Sequence, residues 1–333
     1  MKKLINSPDS VVEESVEGFA LAHGDIVTRS TDPLFVSRSQ KKEDGKVAIV
    51  SGGGSGHEPL HAGFVGYGML DAAVPGAMFT SPTPDAIQAA TEAANAGAGV
   101  LYIVKNYTGD VLNFDTAAEL AEFDDIEVSQ VIVDDDVAVE DSTFTAGRRG
   151  VAGTLLVEKL AGAAAERGDD LAAVAAVAKK VVENTATMGA ALSACTVPHV
   201  GKPSFDLGED EVELGVGIHG EPGRKEIPLV SADDVTDHLL DPVLADLKLG
   251  DGERTIVLVN GMGATPASEL YVVYRRVAQR LKDAGVSIER SLVGNFVTSL
   301  DMAGCSVTVM RADEEDLALF DAPCHTTALR QGM

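Results

Sequence analysis

The segment 51–59, Ser-Gly-Gly-Gly-Ser-Gly-His-Glu-Pro, has the first residues whose types and spacing suggest chemistry. Glycines after a buried strand let backbone N–H groups approach a ligand closely, and His57 adds an imidazole beside that bare backbone. The spacing is not a dinucleotide fingerprint, because His57 and Pro59 stand where the last glycine belongs, and no Gly-Lys-Ser/Thr of a P-loop follows. The segment predicts a pocket for a small ligand, and the alternative is a plain turn.

A second segment, 105–110, has the sequence Lys-Asn-Tyr-Thr-Gly-Asp and follows a predicted strand at 99–104. In open parallel sheets, ligands bind beyond the carboxyl ends of the strands, so this segment and the glycine loop can converge on one crevice. Asp110 is the candidate general base, or it could orient a hydroxyl group. The alternative interpretation is a turn rich in Asn, Gly and Asp.

A third segment, 215–223, places His219 at the end of an apolar strand among glycines, which leave its ring accessible. An imidazole there can act as a base, a metal ligand or a nucleophile. Metal binding is disfavoured, because no second histidine or cysteine lies at ligand spacing on this segment. The remaining histidines lack such a setting and are interpreted as structural: His23, His61, His199, His238 and His325.

The elements that must position these residues have an α/β pattern. In the first half, apolar runs without strict alternation are separated by helical patterns, which indicates a parallel sheet covered on both faces. Strands are predicted there at 47–51, 99–104 and 128–133, and helices at 84–96, 115–123, 151–167 and 171–184. In the second half, strands are predicted at 189–196, 211–217, 255–259, 287–291 and 306–311, with a helix at 268–284.

The fold prediction is therefore an α/β protein of two domains, a Rossmann-like three-layer parallel-sheet domain followed by an α/β domain with a mixed sheet. The boundary is placed near residue 185. The N-terminal domain, 1–184, carries the glycine loop and Asp110, and the C-terminal domain, 185–333, carries His219. The acidic, proline-containing stretch 223–252 is predicted to be a surface excursion.

Composition excludes several functional classes. The 333 residues include 26 Lys+Arg against 52 Asp+Glu, and the net charge of −26 disfavours nucleic-acid binding and anionic membranes. No signal peptide or membrane-spanning run is apparent. The three cysteines form no CxxC pair, which fits a reducing cytoplasm. The excess carboxylate predicts a surface adapted to high salt, where screening removes self-repulsion.

Several motifs together resemble one known family, the substrate-binding K subunits of dihydroxyacetone kinases. The resemblance runs from Met1 almost to the C-terminus, and no single motif has to carry it. The segments that carry it occur in the family's order: 51–59, 79–85, 105–110, 134–139, 146–150, 215–223, 263–266 and 299–302.

The resemblance implies a role for each site residue. His219 would hold dihydroxyacetone covalently, through a hemiaminal formed by Nε2 at the ketone carbon. Gly54 would supply a backbone contact to the triose, and His57 would hydrogen-bond the adduct. Asp110 would take the proton from the hydroxyl that attacks phosphorus, with Lys105 lining the same pocket. No metal site is expected on this chain.

The resemblance also implies partners. The chain carries no recognisable nucleotide loop and lacks the helical domain of single-chain ATP-dependent members, so the phosphoryl group would come from a separate subunit L carrying ATP or ADP and Mg²⁺. In the phosphotransferase-linked branch, a subunit M rephosphorylates that nucleotide. The K subunit itself is expected to be a homodimer. Two other functions stay open: a dihydroxyacetone-sensing regulatory module, and a generic phosphate-binding α/β protein.

Overall fold

A computed structural model describes residues 2–40, 45–139 and 146–333, and the chain divides into two compact units. The unit called N-terminal here comprises 2–40, 45–133, 154–182 and 318–333. The unit called C-terminal comprises 134–139, 146–153 and 183–317. Within these ranges no helix has the length and apolarity needed to cross a membrane.

The described residues form α-helices and β-strands, with one short 3₁₀ helix at Ala62–Phe64. The helices are α1 Val11–Ala22, α2 Pro84–Ala94, α3 Thr108–Phe123, α4 Thr154–Arg167, α5 Leu171–Glu183, α6 Ala232–Leu247, α7 Ala267–Asp283 and α8 Glu314–Asp321. The strands are β1 Val27–Thr31, β2 Leu34–Arg38, β3 Ala48–Ser55, β4 Gly66–Tyr67, β5 Ala72–Met78, β6 Val100–Lys105, β7 Val128–Val133, β8 Thr185–Ser193, β9 Glu211–Leu214, β10 Lys225–Pro228, β11 Arg254–Gly261, β12 Ser287–Gly294, β13 Ala303–Arg311, β14 Cys324–Thr326 and β15 Arg330–Gln331.

The main sheet of the N-terminal unit has the order β1-β2-β5-β3-β6-β7. Strands β5, β3, β6 and β7 are parallel, as predicted, whereas β1 and β2 add an antiparallel edge. Alternate residues of β3 serve opposite faces: Ala48 and Val50 pack in the core formed with α2 and α3, and Ser51 faces His61 and α4. Both faces of the parallel strands are therefore covered, which explains their continuous apolar sequences.

The sheet of the C-terminal unit has the order β10-β9-β8-β13-β11-β12 and is mixed, as predicted. Only the β11–β12 pair in this described sheet is parallel. The prediction that 223–252 is a surface excursion is wrong, because it contains β10 and α6. Helix α6 begins at an N-cap, Ser231, and buries Leu239, Leu240 and Val243 in the core, while its aspartates lie on the other face.

The units exchange segments, so they differ from the predicted domains 1–184 and 185–333 in two places. Residues 134–139 and 146–153 lie with the C-terminal unit because the backbone of Asp135 and Val137 hydrogen-bonds Thr187 on β8. Residues 318–333 lie with the N-terminal unit, where β14 pairs with β4. Lys159 of α4 fixes this segment by donating to the carbonyl oxygens of Leu319 and Ala322, each at 2.9 Å.

Candidate active site

The glycine loop extends β3 rather than following it, since the strand continues through Ser55. Gly54 is required by its neighbours: a Cβ there would lie 2.5 Å from the backbone nitrogen of Thr80 and 2.7 Å from the carbonyl carbon of Phe79. The backbone of 79–80 therefore lies directly against the loop. This contact explains why a glycine and the 79–85 motif occur together in the sequence.

His57 is completely buried beside this contact. Its ring stacks on Phe79, with centroids 5.1 Å apart and planes inclined by 15°. Phe79 itself has a left-handed backbone, with φ of +53°, a conformation that is costly for a residue with a bulky side chain. The stacking fixes the plane of the imidazole, which a residue meant to contact a small ligand requires.

Lys105 and Asp110 occupy the carboxyl end of β6 and the first turn of α3, respectively. The helix begins at Thr108, seven residues before the predicted start at Asp115, so Asp110 lies on a helix and not in a turn. Both side chains are buried, and Lys105 Nζ lies 3.8 Å from Asp110 Oδ2. Asp110 Oδ1 has no hydrogen-bond partner among the described residues.

Burial sets the protonation of this pair. It raises the pKa of Asp110, against the opposing effects of Lys105 and a hydrogen bond from Ser81. It lowers the pKa of Lys105, against the attraction of Asp110 and Glu158. A carboxylate whose pKa is shifted towards neutrality, beside a cation, has the properties of a general base.

The two predicted segments do converge, because Lys105 reaches across to the glycine loop. Its Nζ donates to the carbonyl oxygen of Gly52 at 3.3 Å. A Cβ at Gly53 would collide with Lys105 Nζ, so the second glycine makes room for the lysine.

Sequence reasoning missed a buried network beneath this pair. His61, interpreted as structural, hydrogen-bonds Lys105 Nζ through Nε2 at 2.9 Å and Glu158 Oε1 through Nδ1 at 2.6 Å. Ser51 Oγ lies 3.0 Å from the same Nδ1 and donates to the carbonyl oxygen of Ile103. The sequence did contain a signal, because Glu158 is a charged residue within an alanine- and leucine-rich helical pattern. In the structure, residues 154–165 of that helix are all buried.

A cleft of about 460 Å³ adjoins the glycine loop and His61. It is lined by Gly53, Gly54 and Ser55 of β3, by His61, and by α1 residues that include Phe19. Neither Lys105 nor Asp110 lines it. His61 thus lies at the edge of the cleft, while its ring nitrogens contact buried Lys105 and Glu158.

In the C-terminal unit, a buried arginine organises the loop that carries His219. Arg149 Nε donates to Asp136 Oδ2 at 2.7 Å, Nη2 donates to the carbonyl oxygen of Gly215 at 2.8 Å, and Nη1 donates to Glu221 Oε1 at 3.0 Å. Glu221 in turn accepts the backbone N–H of His219 at 3.0 Å. The motifs 134–139, 146–150 and 215–223 therefore form one unit of structure.

The loop that carries His219 requires a glycine as well as these charged hydrogen bonds. A Cβ at Gly217 would collide with Glu221 and Arg149. His219 itself is half-buried, with Gly220 after it in a left-handed conformation at φ of +75°. Among the described residues, no group of three or more His, Cys, Asp or Glu side chains is arranged to hold a metal ion.

Comparison with known proteins gives these arrangements a context. The Dak1 domain family matches residues 17–328. The dihydroxyacetone-binding subunit DhaK of a PTS-dependent dihydroxyacetone kinase from Listeria innocua is 55% identical over 95% of both chains. The crystal structure of the dihydroxyacetone kinase of C. freundii has a TM-score of 0.91 and 37% identity, covering 99% of this chain and 60% of that one. A dihydroxyacetone kinase operon co-activator, Dha-DhaQ, also has a TM-score of 0.91, with 35% identity over 96% of this chain and 99% of that one.

Proposed function

This chain belongs to the Dak1 domain family, and from that premise we propose that it is the dihydroxyacetone-binding subunit of a dihydroxyacetone kinase. The observation that carries the proposal is the 55% identity, over nearly the full length of both chains, to a subunit of that name. The geometry is consistent with it, since a buried base, a lysine and a backbone-lined loop adjoin one another in the N-terminal unit.

The substrate is proposed to bind covalently to His219. The Nε2 lone pair adds to the ketone carbon, the carbonyl electrons move to oxygen, and the proton released from Nδ1 balances the new hydroxyl group of the hemiaminal. The ring must be neutral to attack. Because Glu221 holds the His219 backbone and Arg149 holds Glu221, the loop is positioned before substrate arrives.

This chemistry selects substrates by reactivity. Dihydroxyacetone has an electrophilic carbon, whereas glycerol has hydroxyl groups of similar size but no carbon at which Nε2 can add. Short ketones and aldehydes should therefore bind and polyols should not. A small pocket has little contact area for discrimination, so a covalent step is an effective way to gain it.

Asp110 is proposed to remove the proton from the terminal hydroxyl of the bound triose as that oxygen attacks phosphorus. Lys105 lines the same pocket, Gly54 offers a backbone contact, and His57 hydrogen-bonds the adduct. The phosphoryl group would be supplied by a subunit L that carries ATP or ADP with Mg²⁺, and a subunit M would recharge it in a phosphotransferase relay. Such transfers rely on positioning and charge neutralisation.

Mass spectrometry of the intact protein tests the covalent step. Incubation with dihydroxyacetone should add the mass of one triose, and the addition should disappear in His219→Ala. His238→Ala, which removes an exposed histidine of α6 in the same unit, is the matched control and should keep the adduct. An adduct that persists in His219→Ala would refute the assignment of the attacking residue.

A second function has one specific observation in its favour. The operon co-activator with a TM-score of 0.91 suggests that this fold can also serve regulation, so the chain could sense dihydroxyacetone and act on a partner protein. Sensing needs His219 but not a base. Asp110→Asn should keep the adduct and abolish phosphorylation in the reconstituted kinase, and phosphorylation at the wild-type rate would remove Asp110 as the base. A wild-type protein that forms the adduct but supports no phosphorylation would favour the regulatory function.

The assembly and the surface charge complete the proposal. The protein is proposed to be a cytoplasmic homodimer, which sedimentation equilibrium tests directly. The net charge of −26 is proposed to be a salt adaptation, so thermal stability should rise when monovalent salt screens the carboxylates. Docking of subunit L would then need either a basic rim on that subunit or a salt-rich medium.

A further inference from the structure

We propose that His61 and Glu158 carry the proton that Asp110 removes from the substrate away from the buried site and towards the cleft. This inference rests on the proposed function, because it concerns the fate of a proton that exists only if Asp110 acts as the base. Neither residue is expected to touch the substrate. Both act on the reaction through Lys105, and we therefore call them positioning residues and not catalytic residues.

The geometry forms a continuous chain of four ionisable groups. Asp110 Oδ2 lies 3.8 Å from Lys105 Nζ, which lies 2.9 Å from His61 Nε2, and His61 Nδ1 lies 2.6 Å from Glu158 Oε1. Lys105 and Glu158 are 0% exposed, and Asp110 is 2% exposed. A proton that reaches Asp110 therefore has no direct contact with bulk water in the N-terminal unit.

The donors and acceptors fix the resting state of this chain. Lys105 as an ammonium group can only donate, so Nε2 of His61 must accept and its proton must be on Nδ1, which donates to the Glu158 carboxylate. Burial lowers the pKa of His61 far below its usual range, with contributions from Lys105 and His57, so its ring is neutral. Burial also raises the pKa of Glu158 far above its usual range, so its carboxylate binds a proton readily, while Lys105 and a hydrogen bond with Ser51 act in the opposite direction and favour the carboxylate.

One concerted shift moves the proton without changing the total charge. Lys105 gives a proton to Nε2 while Nδ1 gives its proton to Glu158, and the resulting lysine amine takes the proton from the Asp110 carboxyl as the two atoms approach to about 3 Å. Asp110 is again a carboxylate, Lys105 is again an ammonium group, and Glu158 is protonated. Glu158 then returns its proton to Nδ1 while Nε2 releases the proton it holds to water in the cleft, and the ring is again the Nδ1–H tautomer.

The position of the cleft gives the proton route one exit, on the side of His61. His61 lines the cleft, whereas Lys105 and Asp110 do not. Among the described residues, other polar side chains face the chain: Ser81 beside Asp110, Ser51 beside His61 and Glu158, and His57 near His61. His61 is thus the member of this chain of four groups that borders the cleft of about 460 Å³.

The first test measures the tautomer of His61 in the wild-type protein by ¹⁵N NMR of labelled histidine. We expect a neutral ring with the proton on Nδ1 across the neutral pH range. A proton on Nε2, or an imidazolium ring, would overturn the proposal, because Lys105 could not then donate to His61. This measurement needs no substrate or partner, so its outcome is independent of the proposed function.

The second test measures phosphorylation of dihydroxyacetone in the kinase reconstituted with its nucleotide-carrying partner. His61→Ala should keep the His219 adduct but slow transfer by about a hundredfold or more, the lower end of the range for a proton-transfer group. Added imidazole should restore the rate, because the cleft adjoins the space left by the ring, whereas pyrazole, a similar ring that is not protonated at neutral pH, should not. The matched control is His23→Ala, which removes a histidine that lines the same cleft and packs against Phe19.

Glu158→Gln gives an isosteric counterpart that keeps packing and removes the ionisable group. It should slow transfer and change the shape of the pH–rate profile while leaving adduct formation intact. If the wild type forms the adduct and transfers phosphate, yet His61→Ala and Glu158→Gln match it in rate and pH profile, the inference fails and the proposed function stands. If the wild type forms no adduct at all, it is the proposed function that fails.

Discussion

Arg149→Lys should destabilise the protein by about 3 kcal/mol, whereas Arg148→Lys, the same change one residue earlier, should cost under about 1 kcal/mol. The two arginines differ in burial and not in charge. Arg149 is 2% exposed and binds Asp136 and Glu221, which are 1% and 11% exposed. Arg148 is 36% exposed and pairs with half-exposed Asp246.

The magnitude follows from what a lysine can reach. The guanidinium of Arg149 bonds two carboxylates and the carbonyl oxygen of Gly215 at once, and a single ammonium group cannot satisfy all three. Losing one or two hydrogen bonds to buried charged groups costs about 1.5–3 kcal/mol each. Full truncation to alanine, which leaves both carboxylates unpaired, should cost about 3–5 kcal/mol.

Urea unfolding of the four proteins, wild type and the three variants, measures these free energies. The functional consequence is measured separately, under conditions where each variant stays folded. Because Glu221 holds the backbone of His219, a variant in which only about one loop in ten is competent should have an apparent affinity for dihydroxyacetone about tenfold lower. Equal destabilisation at the two positions, or an unchanged affinity in Arg149→Lys, would refute this account of the loop.

Three further predictions concern the N-terminal unit. The rate of phosphoryl transfer should rise with pH as Asp110 ionises, at a pH above the usual range for an aspartate because its pKa is raised. The rate should fall as Lys105 loses its proton, at a pH below the usual range for a lysine because that pKa is lowered. A pH–rate profile measures both limbs. Gly54→Ala should abolish binding, since its Cβ would meet backbone at 2.5 Å, while Gly18→Ala in helix α1, with nothing within 4 Å, should stabilise the protein by about 0.5–1 kcal/mol in urea unfolding. Lys159→Gln should cost about 2–4 kcal/mol, because two carbonyl oxygens of the C-terminal segment lose a charged donor; an unchanged unfolding midpoint would contradict this.

Much of the fold could be predicted because its signals are local. The apolar run that forms β7 was predicted at 128–133, the bounds that the structure has. Pro84 at the start of α2 and the apolar periodicity of α7 placed those helices to within two residues at either end. A mixed sheet was also predicted for the second half, and the structure has one.

The predictions that were wrong concern features that depend on contacts between residues far apart in the sequence. Helix α6 was missed because its aspartates and Pro242 look like a loop, and only burial of its apolar face against the sheet makes it a helix. The role of His61 was missed because its partners, Lys105 and Glu158, lie 44 and 97 residues away along the chain. No short-range pattern can pair residues at those distances, although a glutamate inside a buried helix was a usable warning.

The packing of segment 318–333 within the N-terminal unit also affects when that unit can fold during synthesis. Thr327 hydrogen-bonds the carbonyl oxygen of Gly63, a residue that precedes it by 264 positions. At about 5–20 residues per second, the partner of Gly63 leaves the ribosome roughly 13–50 s later. During that interval the glycine loop has been synthesised, but β4 has no neighbouring strand. A nascent chain therefore cannot complete this small sheet until segment 318–333 has been synthesised, and deletions within that segment should destabilise the N-terminal unit.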